Sequence, residues 1–214
     1  MLLILGASGG CGQWLTRLAL QRGRSVRAVV RETTPFDAPA EVDVVRGSVL
    51  DRSVLDAALD GCSEVVSALG IKRKHFWNPW SPLVSPADLT TRVAGHLTEL
   101  MPAHGIDRLV CISAAGVQDS IEQTNAMMRW LIGHSKIGKA YADLAGMEQV
   151  LAGSSLDWTA VRPVTLFYGP QTGSARVVAT YATTALIRRS DVAQWMLGAV
   201  EQAGDPESRT PMIG

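Results

Sequence analysis

Met1-Leu-Leu-Ile-Leu-Gly6-Ala-Ser8-Gly9-Gly10-Cys11-Gly12 opens the chain, and its reading decides the fold. The apolar run over 2–5 has the character of a strand buried on both faces of a parallel sheet. Glycines at 6, 9 and 12 follow at once, and 13–21 then carries a helical pattern. A strand, a glycine turn and a helix in that order bring backbone close to a pyrophosphate. The turn needs residues without a Cβ, and the helix N-terminus offers free N–H groups and a positive dipole end. The spacing is Gly-x-x-Gly-x-x-Gly rather than Gly-x-Gly-x-x-Gly. With a strand before it and a helix after it, the motif predicts dinucleotide binding through Gly6, Ser8, Gly9, Gly10, Cys11 and Gly12. A plain glycine-rich turn is the alternative. The fold expected is α/β, a Rossmann-like doubly wound parallel sheet in a single domain.

Bulk properties narrow the class. A chain of 214 residues suits one α/β domain with a substantial core. Apolar content of 47% with 19% charged residues is that of a globular protein. The formal net charge is zero, which argues against nucleic acid and anionic membranes as partners. Cys11, Cys62 and Cys111 are widely spaced, with no Cys-x-x-Cys, so neither a disulfide nor a metal site is expected. Residues 1–5 lack the length and basic lead-in of a signal peptide, and no apolar run approaches a membrane span. A cytoplasmic monomer or weak homodimer with a small-molecule substrate is the expectation.

Outward from the glycine turn, the helix over 13–21 carries Trp14, Leu15, Leu18 and Ala19 on one face and ends near Gly23. The strand over 25–31 ends at Arg31, 19 positions after Gly12, where an NAD site places its ribose-contacting acid. A guanidinium there suits a 2′-phosphate by charge and by bidentate geometry, so NADP is favoured. Glu32 next door could serve the 2′-hydroxyl of NAD instead. A short strand over 42–46 closes with Gly47-Ser-Val-Leu-Asp51. Asp51 could accept from an adenine amino group or cap the helix over 53–59. The strand over 63–70 brings Leu69 and Gly70 along the cofactor, close to its nicotinamide end.

Residues 71–86 break the alternation. Lys72-Arg-Lys-His75 is followed by Phe76, Trp77 and Trp80, with Pro79, Pro82 and Pro86 stiffening the segment. Basic residues among aromatics can stack on nucleic acid, but one short patch in a neutral chain argues against it. A flap on the substrate side, suited to a flat anionic ligand, fits the position after the fourth strand. A rigid surface loop packed by its tryptophans is the alternative. Next come a helix over 86–104 and a strand over 108–113, whose Ser113 hydroxyl is placed to hydrogen-bond a substrate carbonyl. Residues 114–134 form a second substrate-side segment, read as loop and short helix. On the helix over 135–151, Ile137, Tyr141, Leu144, Glu148 and Leu151 share one stripe at roughly 100° per residue. Glu148 there is either a proton donor or a buried partner for an arginine. A strand over 156–163, a short strand over 176–180, a last helix capped by Ser190-Asp191 and a terminal strand over 211–214 complete the chain.

These pieces together resemble an atypical short-chain dehydrogenase/reductase of the NAD(P)H-binding, NmrA-like kind, similar to the biliverdin reductase B (flavin reductase) group. The match runs through Gly6-x-x-Gly9-x-x-Gly12, Val-Arg-Ala-Val-Val-Arg31, Gly47-Ser-Val-Leu-Asp51, Leu109-Val-Cys-Ile-Ser113, Met147-Glu148, Leu156-Asp-Trp-Thr-Ala-Val-Arg-Pro163 and Arg189-Ser-Asp-Val-Ala193. The resemblance implies that Gly6, Ser8, Gly9, Gly10 and Arg31 hold dinucleotide phosphates and that Ser113 orients substrate beside the nicotinamide. It implies an NADPH-dependent reductase of flavin-, quinone- or tetrapyrrole-like acceptors, or a non-catalytic NAD(P)-binding sensor. The chain departs from the usual Tyr-x-x-x-Lys: Ala145 stands four residues after Tyr141, and Lys136 and Lys139 lie on other helix faces. Tyr141 is therefore a weak candidate for the catalytic acid and a stronger one for packing against the sheet.

Overall fold

Seven parallel strands make the central sheet of the computed structural model, which describes all residues except Phe76, Thr183, Pro206 and Glu207. Phe76, expected in the flap, lies outside the described residues. The strands are β1 (Leu2–Leu5), β2 (Val26–Val30), β3 (Val42–Arg46), β4 (Glu64–Ser67), β5 (Arg108–Ile112), β6 (Asp157–Pro163) and, last in the chain, β9 (Met212–Ile213). Their order is β3-β2-β1-β4-β5-β6-β9. The chain runs outward from β1 in one direction, then crosses back to β4 and runs outward in the other. Connections therefore diverge at the C-terminal ends of β1 and β4, the switch point where a crevice opens in such sheets.

The all-apolar reading of β1 has a simple cause. Leu2 and Ile4 point into one core, with helices α1 (Gly10–Gln21) and α6 (Arg189–Val200). Leu3 and Leu5 point into the other, with α2 (Arg52–Leu59), α3 (Leu89–Ala103) and α5 (Ile137–Ala152). Successive side chains alternate faces, so a strand covered on both sides must be apolar throughout.

Local chemistry sets several boundaries. The helix expected from 86 begins at Leu89, because Asp143 of α5 supplies the acceptors for its first turn. Its carboxylate accepts from Thr90 N at 2.9 Å and Thr91 N at 3.0 Å. The segment after β5 forms a 3-10 turn (Gln118–Gln123) and α4 (Ala126–His134), which Asn125 caps by accepting from Met128 N at 2.9 Å. Ser135 is extended and separates α4 from α5.

Two expectations are corrected. Residues 176–180 form no strand; Val177 makes only an isolated antiparallel bridge to Ile213. A small parallel sheet of β7 (Thr165–Phe167) and β8 (Leu186–Arg188) stands nearby instead, and three-residue strands are too short to show a period. Nor do Ser190 and Asp191 cap α6, whose N-cap is Arg188. The Asp191 carboxylate turns to the preceding loop and accepts from Thr172 N at 2.7 Å, Gly173 N at 2.8 Å and Thr172 Oγ1 at 2.7 Å. Among the described residues no helix is long and apolar enough to cross a membrane.

Candidate functional site

The glycine turn sits at the switch point and is built so that side chains are excluded. Gly6 has φ +80°, and a Cβ there would stand 2.9 Å from the Ala68 carbonyl oxygen at the tip of β4. A Cβ on Gly12 would overlap the Gly6 carbonyl oxygen and come within 2.7 Å of Ala7 Cα. Gly9 N donates to Gly6 O at 2.9 Å, closing the turn, and Gly9 is the N-cap of α1. It offers no side-chain acceptor, and the first turn of α1 contains no acidic residue. Among the described residues no side chain caps that end of α1, and the helix dipole makes it favourable for an anion. This geometry fits the diphosphate of a dinucleotide. Leu69 is half-buried against the α2–α3 core, and around Gly70 a Cβ would meet nothing within 4 Å.

Arg31 is exposed just beyond the tip of β2, with Arg46 at the adjacent tip of β3, where Val30 and Arg46 are in register. Arg46 Nη1 donates to the Thr34 carbonyl at 3.0 Å and steadies the turn that carries Arg31. Asp51 caps α2: its Oδ1 accepts from Ser53 N at 2.9 Å and Ser53 Oγ at 2.8 Å. These hydrogen bonds, the hydroxyl's first, hold its carboxyl below the ordinary aspartate range.

At the end of β5, Ser113 is buried and its hydroxyl donates to Glu148 Oε1 at 2.6 Å. Glu148, 2% exposed, also accepts from Arg162 Nε at 3.0 Å, Arg162 Nη2 at 2.7 Å and Gln118 Nε2 at 2.8 Å. Arg162 Nη1 in turn donates to Asp119 Oδ1 at 2.8 Å. Of the two roles open to Glu148, the structure shows the arginine partner. Gln118, absent from sequence reasoning, has φ +49°, the left-handed backbone that non-glycine residues rarely adopt. Cys111, in the same strand as the network, has its thiol pushed up to about 12 by burial and by the Glu148 charge.

Tyr141 bonds to the loop after β5 rather than to that network. Its hydroxyl donates to the Ala115 carbonyl at 3.0 Å. Burial, with Tyr181 nearby, pushes its pKa above the usual phenol value. The two segments expected on the substrate side meet each other. Trp80 Nε1 donates to the His134 carbonyl at 3.0 Å, Lys136 N donates to the Pro79 carbonyl at 2.9 Å, and Trp80 meets Trp130 edge-on at 6.2 Å. Trp130 stacks on His134 at 5.3 Å, and Trp77 of the first segment is 90% exposed.

Two residues that sequence reasoning gave no role, Tyr168 just after β7 and Arg189 at the start of α6, reach the glycine turn. A Cβ on Gly10 would lie 2.8 Å from Arg189 Cδ and 3.3 Å from Tyr168 Cε1. The Arg189 guanidinium carbon stands 4.9 Å from the Tyr168 ring centre, and Tyr168 is 74% exposed. Cys11 beside them is buried, which raises its thiol pKa, while the Arg189 charge pulls the other way. Only tertiary structure joins positions so far apart in the chain.

A family model described as NAD(P)H-binding matches residues 6–203. A 3-diazoavenalumate denitrifying reductase from a Streptomyces species is 32% identical over 183 residues, 81% of this chain and 58% of that protein. A probable pinoresinol-lariciresinol reductase 3 from Arabidopsis thaliana is 35% identical over 75 residues, 33% of this chain and 24% of that protein. The chain thus spans little more than half of the first of these relatives and a quarter of the second. ChuY, an anaerobillin reductase from Escherichia coli O157:H7, superposes with a TM-score of 0.77 at 23% identity, covering 99% of this chain and 95% of that one. A short-chain dehydrogenase/reductase from Veillonella parvula DSM 2008, in complex with NADP, gives 0.76 at 18% identity over 100% of this chain and 93% of that one. At those identities the structures speak for the fold, and the family match speaks for the class. With the Rossmann-like sheet and its glycine turn, it follows that the chain belongs to the NAD(P)H-binding family.

Proposed function

We propose that the protein is an NADPH-dependent reductase that passes hydride to a flat conjugated or carbonyl acceptor of the flavin, quinone or tetrapyrrole class. The observation that carries this reading is the glycine turn at the β1/β4 switch point, where Gly6 and Gly12 exclude a Cβ and α1 begins without an acidic side chain. Gly6, Ser8, Gly9, Gly10, Cys11 and Gly12 form the cradle for the diphosphate, with Gly9 N closing the turn and the amides at the start of α1 as donors. Arg31 pairs with the 2′-phosphate, which makes NADPH the better ligand and NADH the poorer. Asp51 lies toward the adenine, and Leu69 and Gly70 line the nicotinamide end. When bound, the cofactor supplies the hydride.

The chain's own part is to position and to exclude water. The Trp80–Trp130 wall offers a flat acceptor an aromatic face, and Lys72, Arg73 and Lys74 favour an anionic one. The Ser113 hydroxyl donates its hydrogen bond to Glu148, so its oxygen accepts from a substrate N–H or O–H rather than donating to a carbonyl. Water supplies the proton that accompanies the hydride. Three free, buried cysteines suit a reducing compartment such as the cytoplasm.

A second reading, an NAD(P)-binding sensor, draws on two observations: Tyr141 donates to a backbone carbonyl, and Ala145 stands where a Tyr-x-x-x-Lys site has lysine. Loss of nicotinamide absorbance, followed anaerobically with FMN, a small quinone and a linear tetrapyrrole, separates the two. Reduction of any acceptor supports the reductase. Tight NADPH binding with no oxidation by any of them supports the sensor.

A further inference from the structure

The formal charge of the chain is zero, but its charges are unevenly spread. Residues 71–87 and 123–142 contain no aspartate or glutamate, yet they carry Lys72, Lys74, Arg129, Lys136 and Lys139, all exposed. Elsewhere cations pair with acids, as Arg22 does with Glu201, Arg27 with Asp43 and Arg209 with Asp157. Among the described residues these five make no ion pair, and Arg129 donates to the backbone carbonyls of Glu122 and Thr124. The two acid-free segments join into one surface. Val84 N donates to Lys72 O at 2.8 Å and Lys74 N to Pro82 O at 2.9 Å, which folds the first into a hairpin. Its tip is held on the junction of α4 and α5 by the Trp80–His134 and Lys136–Pro79 bonds. Following β4 and β5, this surface lies at the C-terminal rim of the sheet. Trp77, Trp80, Val84, Met127 and Trp130 are each more than half exposed on it, and α4 buries none of its residues.

We propose that this face docks the protein peripherally on an anionic lipid bilayer. Indole rings favour the boundary between headgroups and acyl chains, apolar tips enter it, and lysines reach the headgroup phosphates along their stems. Val84 and Met127 have no ring to stack on a base, which sets this surface apart from a platform for single-stranded nucleic acid. A neutral chain can still be attracted, because at about 0.1 M salt the Debye length is about 10 Å and a bilayer senses the near face alone. On the reductase reading above, docking turns the substrate side toward the lipid phase, from which an apolar quinone would arrive. The docking itself does not depend on that reading.

The test is sedimentation of the native protein, without cofactor, with vesicles of phosphatidylcholine alone and with about 30% phosphatidylglycerol added. The anionic vesicles bind it at least about tenfold more tightly, and raising salt from about 0.1 M to about 0.5 M removes most of the difference. One charge near an anionic surface is worth about fivefold, so Lys72→Glu/Lys74→Glu weakens binding at least about tenfold. Arg17→Glu/Arg176→Glu, an equal charge change on α1 and beside β9, alters it less than about twofold. Should the lysine variant fail to fold, the native protein still answers: lipids brominated in the acyl chains quench its tryptophan fluorescence in anionic vesicles and not in neutral ones. Equal binding to both vesicles, binding to neither, or a folded Lys72→Glu/Lys74→Glu that behaves like the control pair overturns the proposal. So does a preference for a single-stranded oligonucleotide over the anionic vesicles, which would assign the face to nucleic acid. No reading uses NADPH, so failure here leaves the dinucleotide reading in place, and failed NADPH binding leaves the docking in place.

Discussion

Ser113 Oγ stands 2.6 Å from Glu148 Oε1, so the one serine proton at the end of β5 is committed to a buried carboxylate. Glu148 is also held by two bonds from Arg162, itself nearly buried. Removing one partner of a buried ion pair leaves the other uncompensated and costs about 3–5 kcal/mol. Asp119 remains on Arg162 Nη1, so Glu148→Ala is expected near the lower end, about 3 kcal/mol. Ser113→Ala removes one hydrogen bond and should cost about 1 kcal/mol. Urea unfolding of the two variants measures the difference; equal losses would contradict the network as described.

Gly12 and Gly10 differ in what surrounds them. A Cβ on Gly12 meets backbone that cannot move, whereas one on Gly10 meets the flexible stem of Arg189. Gly12→Ala should therefore lose about 3 kcal/mol, as overpacking does. Gly10→Ala should stay within about 1 kcal/mol of the native protein, because alanine is also the better helix residue. Thermal unfolding by circular dichroism orders them; a milder Gly12→Ala would sink the steric argument.

Arg31 is expected to govern which nicotinamide cofactor binds. Arg31→Glu should weaken NADPH at least about tenfold and leave NADH nearly unchanged, since only the former has the 2′-phosphate. Arg46→Gln, which loosens the Thr34 turn, should do the same more weakly. Fluorescence titration with both cofactors reads the ratio, and a parallel loss for both would assign Arg31 no part in selectivity.

Acid should reach the protein partly through Asp191. Burial alone would raise its carboxyl pKa, but hydrogen bonds from Thr172 Oγ1, Thr172 N and Gly173 N, with the Arg188 charge, outweigh it and lower the pKa. A carboxyl lowered on folding contributes stability above the unfolded value of about 3.9, and that contribution is lost as pH falls toward the folded value. Asp191→Asn should be less stable at neutral pH and lose less between about pH 4 and pH 2. Unfolding free energies across that range test the slope; identical slopes would remove Asp191 from the acid response.

Much of this molecule is legible in one dimension. The run over 2–5 and the glycines after it are local signals, so β1, the turn and α1 could be read directly. The stripe on α5 placed Tyr141 and Glu148 on one buried-facing side, and the structure supplied the arginine that Glu148 required. Less was legible where partners lie far apart. Asp143 delays the start of α3 from another helix, and Asp191 serves a loop rather than its own helix. β7 and β8 owe their pairing to a crossing that no local pattern encodes. The family was readable because its motifs are local; Arg189 over Gly10 was not, because that contact joins the two ends of the chain.

The most direct measurement is calorimetric titration of the native protein with NADPH and, separately, NADH. Saturable binding of one NADPH per chain is expected, tighter than NADH and weakened by Gly12→Ala. Absence of heat with both cofactors, from protein shown to be folded, would contradict it.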